Sequence, residues 1–214
     1  MIKPFQKRNN VWILIPAMGS VLFILFYVVA TFFYPGGSQA DRNAPGFSWI
    51  NNYWCNLLNE YAMNGEPNPA KPIALTGMFV LCLSLAAFWV IFPKLMNIQK
   101  TLKLTIQISG VISMTFACFL FTQFDHDLIT NLASAFGLFA IIGTLISLYK
   151  AKYYSLLLFG LLNLFLVLVN TIVYYNQSLI IYLPVIQKFS FASFLVWICY
   201  MNIILFRRSI DIDL

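Results

Sequence analysis

Six stretches of this chain, residues 11–34, 72–92, 104–124, 128–149, 153–175 and 189–206, contain no Lys, Arg, Asp or Glu, and each is close to 20 residues long. A helix rises about 1.5 Å per residue, so about 20 apolar residues cover a hydrocarbon core about 30 Å thick. Hydrocarbon offers no water to the peptide groups, and a helix satisfies all of them within one segment. The pattern therefore predicts an all-α, polytopic integral membrane protein, a six-transmembrane-helix bundle. Only 9% of the residues are charged and 61% are hydrophobic. A soluble domain carries about 25% charged residues to cover its surface, so almost the whole chain is expected to lie in a bilayer. With six spans and one long loop, residues 1–214 leave no room for a separate soluble domain.

The basic residues are distributed unevenly. Lys3, Lys7 and Arg8 precede the first run, Lys94, Lys100 and Lys103 lie between the second and third, Lys150 and Lys152 between the fourth and fifth, and Arg207 and Arg208 follow the sixth. Short cytoplasmic connections retain Lys and Arg, so these four segments are expected on the cytoplasmic side together with both termini. The opposite side carries Arg42, Lys71 and Lys188 with Asp41, Glu60, Glu66, Asp125 and Asp127. The net charge of +6 is thus explained by topology, and membrane lipids rather than nucleic acid are the expected partners. The first run is read as a retained span because Thr31-Phe32-Phe33-Tyr34-Pro35 offers no small-x-small cleavage site. Cys82, Cys118 and Cys199 fall within spans and only Cys55 lies outside them, so neither a disulfide framework nor a zinc spacing is indicated. No cofactor and no metal are expected.

The connections are very unequal, and the first, residues 35–71, is too long to be structureless in a compact fold. Pro35-Gly36-Gly37 and Asp41-Arg42-Asn43-Ala44-Pro45-Gly46 read as turns, and Ser48 as a helix cap. From Trp49 to Met63 a 3.6-residue period places Ile50, Trp54, Leu57, Leu58 and Tyr61 on one face and Asn51, Asn52, Cys55, Asn56, Asn59 and Glu60 on the other. A short amphipathic helix is therefore expected in the outer loop, ending at Asn64-Gly65-Glu66-Pro67. Leu179 to Pro184 is too short to cross and too apolar to float, and is expected at the interface. Tyr34, Trp49, Tyr53, Trp54, Tyr175 and Tyr182 suit the aromatic belt at the membrane surface.

Chemistry has few places to sit. His126, the only histidine, lies between Asp125 and Asp127 in the turn after the third run. An imidazole titrates near neutrality, and flanking carboxylates favour its protonated form. With Glu60 from the long loop these residues make a candidate acid–base cluster; the alternative is that Asp127 caps the fourth helix and its neighbours are solvated. Asn52, Asn56 and Asn59 can hydrogen-bond a lipid headgroup or sugar, or form a plain wet face. Lys71 and Lys188 can contact phosphate, or anchor the ends of spans. Within the spans the polar residues are neutral, Gln107, Asn131, Asn163, Asn170 and Asn202 among them, which argues against an ion-coupled transporter. Ser109, Gly110 and Ser113, with Ala133, Ser134, Gly137, Ala140 and Gly143, offer close-approach surfaces between helices.

Three segments carry a resemblance: Asn51-Asn52-Tyr53-Trp54-Cys55-Asn56-Leu57-Leu58, Asn64-Gly65-Glu66-Pro67-Asn68-Pro69-Ala70-Lys71-Pro72, and Phe124-Asp125-His126-Asp127. With the layout of the spans, they resemble a loose group of six-span membrane proteins. The group includes a bacterial domain of unknown function, the damage-regulated autophagy modulators and a GPI-anchor lipid-remodelling protein. That resemblance implies a bacterial plasma-membrane protein that handles lipid, with no assured activity. Ceramidase-like membrane hydrolases hold zinc with several histidines, which a single histidine excludes. The expected function is a noncatalytic, lipid-associated or scaffolding bundle. The alternatives are a lipid-modifying enzyme built around His126 and a small-solute transporter with a cavity near Asn163.

Overall fold

The computed structural model describes residues 10–119 and 126–211. Every regular element among them is a helix. A 3-10 segment, Asn10–Leu14, runs into α1 (Ile15–Phe32); α2 (Lys71–Leu95), α3 (Lys100–Phe119), α4 (His126–Lys150), α5 (Tyr154–Tyr174) and α6 (Leu183–Asp211) follow. Among the described residues six helical stretches are long and apolar enough to cross a membrane, and each overlaps one of the six uncharged runs. Pro16, Pro72 and Pro184 stand in the first turns of α1, α2 and α6, where a missing N–H removes no hydrogen bond. Lys94, Lys150 and Arg208 occupy last turns, beside the negative ends of their helix dipoles.

The last span differs from expectation at its start. The chain forms a 3-10 turn at Ile180–Tyr182 and enters α6 at Leu183, six residues before the uncharged run begins. Lys188 marks the end of an uncharged window without interrupting a helix, because its long stem lets the ammonium leave the apolar surface.

Each helix packs against its neighbour in the chain, and α6 closes the ring on α1. Association within lipid draws on close packing and on interhelical hydrogen bonds rather than on expulsion of water. Both are present at the interfaces. The Trp89 ring of α2 lies directly on the Gly110 backbone of α3, and the Trp197 ring of α6 on Gly160 of α5. Between α3 and α4, Ile106 packs on Gly143, and the Ser113 hydroxyl donates to Ala133 O at 2.7 Å. Gln107 Nε2 donates to Val90 O at 3.1 Å, Trp197 Nε1 to Leu156 O at 2.8 Å, and Asn170 Nδ2 to Ser190 Oγ at 2.6 Å. Asn170 therefore joins α5 to α6. Asn163 instead bonds its own helix, at Phe159 O. Ser20, Thr144, Ser147 and Asn202 also reach back one turn, at 2.7–2.9 Å, which satisfies a polar group without a partner helix. Outward positions such as Leu83, Leu158 and Phe165 are exposed. That girdle is far larger than the patches a soluble monomer shows.

Candidate functional site

The loop joining α1 to α2 holds Asn52, Asn56, Asn59 and Glu60, four of the nine residues that the sequence nominates. It folds as two linked turns. Gly36 bridges to Pro45 and Tyr61 to Pro67, and Asn64 N donates to Gly36 O at 3.2 Å to join them. Gly37 sits at the junction with φ +81°, and an added Cβ there would meet the Asn64 backbone nitrogen at 2.3 Å. Only glycine suits both the angle and the space.

The helix expected over residues 49–63 is replaced by a single turn and a short 3-10 helix, Trp54–Leu58. Ser48 does cap the turn, its Oγ accepting the Asn51 N–H at 3.2 Å. Beyond it the asparagines take the backbone groups that an α-helix would use. Asn52 Oδ1 accepts the Ser48 N–H at 2.8 Å while its Nδ2 donates to Gly37 O at 2.9 Å. Asn56 Oδ1 accepts the Tyr53 N–H at 2.8 Å, which holds Tyr53 extended (φ −72°, ψ 153°). The amphipathic reading holds in part: Leu57 is buried, Trp54 and Leu58 pack against the core, and Asn59 and Glu60 are exposed, but Asn52 and Asn56 are buried and Ile50 and Tyr61 are exposed.

Trp54 is not a belt residue. Its ring packs inward against Tyr27 and Phe23 of α1 and Phe191 of α6, with centroids at 5.3, 5.7 and 5.6 Å. Tyr34 is likewise buried, and its hydroxyl accepts the Met63 N–H at 2.9 Å. Trp49, Tyr175 and Tyr182 are exposed, as a surface belt requires. The aromatic seat under Trp54 fixes the loop across the end of α1 and α6, and Lys188 fastens it from the other side. The Lys188 ammonium donates to Asn52 O, and to Pro184 O at 3.0 Å. It also lies 5.8 Å from the centroid of the Phe47 ring, within the range of a cation–π contact.

The other nominated residues fall as follows. Glu60 forms an ion pair with Lys71 in the first turn of α2. Asn59 is exposed, and its backbone carbonyl, not its side chain, joins the loop network. Asp127 is exposed in the first turn of α4, a place where a carboxylate complements the helix dipole. Asp125 and the His126 side chain lie outside the described residues. Among the described residues no three His, Cys, Asp or Glu side chains are grouped to hold a metal ion.

Asn68 was not among the sequence candidates, yet it organises the loop. Its buried Nδ2 faces Asn59 O, Leu57 O and Asn56 O at 2.9, 3.2 and 3.3 Å, and its Oδ1 accepts the Ala70 N–H at 3.1 Å. The available signal is the Asn68-Pro69 dipeptide, a turn initiator one residue before Ala70 leads into α2. Cys55, the one cysteine outside the spans, is chemically quiet. Burial pushes its thiol up, against smaller lowering contributions from backbone N–H groups and Lys188. The thiol therefore stays protonated at neutral pH, and thiolate is the reactive form. Alkylation of Cys55 by iodoacetamide is expected to be slower than that of a free thiol at pH 7.5 and to rise steeply above pH 9. Mass spectrometry of the loop peptide checks it.

Fold and loop together define an all-helical protein with six helices able, by length and composition, to cross a membrane, one end carrying an internally bonded loop. Comparison with protein-family models, curated proteins and solved structures gives no match.

Proposed function

We infer that this protein is a noncatalytic, lipid-associated scaffold: a multi-pass bundle in a bacterial plasma membrane, both termini cytoplasmic, with the loop as a rigid outer cap. The observation that carries this reading is the internal bonding of the loop. Asn52, Asn56 and Lys188, whose chemistry suits a headgroup or phosphate, are engaged by the loop's own backbone. Glu60, the carboxylate nominated to work with His126, is engaged by Lys71. A catalytic site needs such groups aimed into a concavity, whereas a cap needs them as fasteners. Trp49 and Ile50, exposed on the cap, supply apolar surface for the headgroup layer. The orientation rests on the basic connections, and the bacterial setting on the resemblance carried by the loop motifs.

The test compares lipid profiles of cells lacking the gene with cells carrying the wild type, His126→Ala or Glu60→Gln. All four profiles are expected to coincide. A lipid species that changes with the wild type and reverts in both variants would replace the scaffold by a lipid-modifying enzyme. A reporter fused to the carboxyl end is expected to be active in the cytoplasm, and activity on the other face would overturn the orientation.

A further inference from the structure

Between α3 and α4, on the outward surface of the bundle, lies an open groove of about 460 Å³. Its floor follows from short side chains one helical turn apart on α3: Thr101, Thr105 and Ser109 share a face. Phe136 and Phe139 of α4 and Ile108 of α3 form its walls. The helices cannot shift to fill it, because Ile106 on Gly143 and the Ser113 bond to Ala133 O already fix their separation on the inner side. Lys100, exposed, closes one end of the groove.

Two features specify an occupant. The first is length. Nine residues separate Lys100 from Ser109, about 14 Å of helix, against about 15 Å for half of a hydrocarbon core about 30 Å thick. The groove therefore runs one leaflet deep, which suits a single acyl chain lying along α3. The second is charge. The groove opens at the end of the bundle that carries Lys94, Lys100 and Lys103 before and at the start of α3, Lys150 at the end of α4 and Lys152 just after it, and Arg207 and Arg208 near the end of α6. A headgroup held there faces an ammonium and meets no carboxylate among the groove's lining residues.

We propose that the α3–α4 groove holds one acyl chain of an anionic glycerophospholipid, with its phosphate against Lys100. The site lies at the opposite end of the bundle from the cap, and it stands whether the capped end is a scaffold or an enzyme. It needs only that α3 and α4 cross the bilayer.

The test uses the full chain reconstituted in nanodiscs of equal phosphatidylglycerol and phosphatidylcholine, then transferred to mild detergent and weighed intact by native mass spectrometry. The wild type is expected to keep one phosphatidylglycerol per chain in preference to phosphatidylcholine. Thr105→Phe, which fills the groove, is expected to abolish retention of either lipid. Lys100→Gln is expected to keep a lipid while the preference for phosphatidylglycerol falls about fivefold, the contribution of one lysine at a membrane surface. Phe139→Ala removes a wall from an exposed position and serves if Thr105→Phe disturbs the fold. Its retention is expected to fall as well. Wild-type retention in both Thr105→Phe and Phe139→Ala, or equal retention of the two lipids by the wild type, would overturn the proposal. So would a loss of lipid that follows Lys100 alone, since that is surface attraction without a groove.

Discussion

Gly110→Ala is expected to destabilise the bundle, although alanine is the better helix former. Propensity alone favours alanine over glycine inside a helix by about 1 kcal/mol. Packing opposes it. A Cβ on residue 110 would stand 2.2 Å from Trp89 Cγ and 2.6 Å from its Cβ, so the tryptophan must move. Trp89 is 1% exposed and its ring lies 4.9 Å from that of Phe88, which leaves it nowhere to go without parting α2 from α3. Overpacking of this kind costs about 1–3 kcal/mol, and a Cβ only 2.2 Å from a ring with no room to move puts alanine already above the propensity gain of about 1 kcal/mol. Gly110→Leu is therefore expected to lose more than Gly110→Ala, and to fall at the top of that range or beyond. Unfolding in a graded series of SDS in mixed micelles, followed by circular dichroism, gives the sign and size. The double variant Gly110→Ala with Trp89→Leu separates the causes: if the clash is the cause, the pair recovers much of the loss, as coupled neighbours do. A stabilised Gly110→Ala would mean that α2 and α3 approach elsewhere.

That contact illustrates what the sequence makes legible. The spans are readable because hydrocarbon imposes one rule over about 20 residues, and a single charge shows at once. Gly110, Ser113, Gly137 and Gly143 could be nominated as contact residues because only small side chains allow backbones to approach. Their partners could not, since nothing in the sequence says that Trp89 meets Gly110. The start of α6 is not legible by charge, because a charge count reads Lys188 as the edge of a span. In the structure the stem of Lys188 rides on the helix while its ammonium bonds the Asn52 carbonyl far along the chain. The loop was the least legible part. A 3.6-residue period over 49–63 is a statement about side-chain polarity, and it assumes that asparagines face water. Asn52 and Asn56 face the backbone instead, and once they take its groups the period has no helix to describe. The same assumption nominated them as ligands and missed Asn68, whose role depends on carbonyls brought together only by the fold.

Asn68→Ala is expected to open the loop while leaving the six helices in place. The substitution leaves the carbonyls of Leu57 and Asn59 and the N–H of Ala70 without the partners they now have. Each buried polar group left unsatisfied costs about 1–3 kcal/mol. Water reaching the half-exposed edge near Asn59 lowers the sum, so a loss of about 2–4 kcal/mol is expected, confined to residues 53–70. Hydrogen exchange followed by mass spectrometry reads this directly: amides of the loop exchange faster in the variant, and those of α2 through α6 do not. Asn59→Ala is the control, because its exposed side chain lies outside the network; it is expected to stay within about 0.5 kcal/mol of wild type. Asn68→Asp sharpens the argument. It keeps the shape, but a carboxylate oxygen then faces the carbonyls that the amide nitrogen now serves, so it is expected to be at least as damaging as alanine at neutral pH. Those oxygens favour the protonated acid and raise its folded-state pKa above the unfolded value of about 3.9. The stability supplied by the protonated form is thus present below that value and is lost as pH rises through the folded one. Slower loop exchange in Asn68→Asp at pH 4 than at pH 7, after correction for the intrinsic rate, is the expected result. A variant with the same protection at both values would mean that the amide's donors do not hold the loop, and the cap would need another fastener.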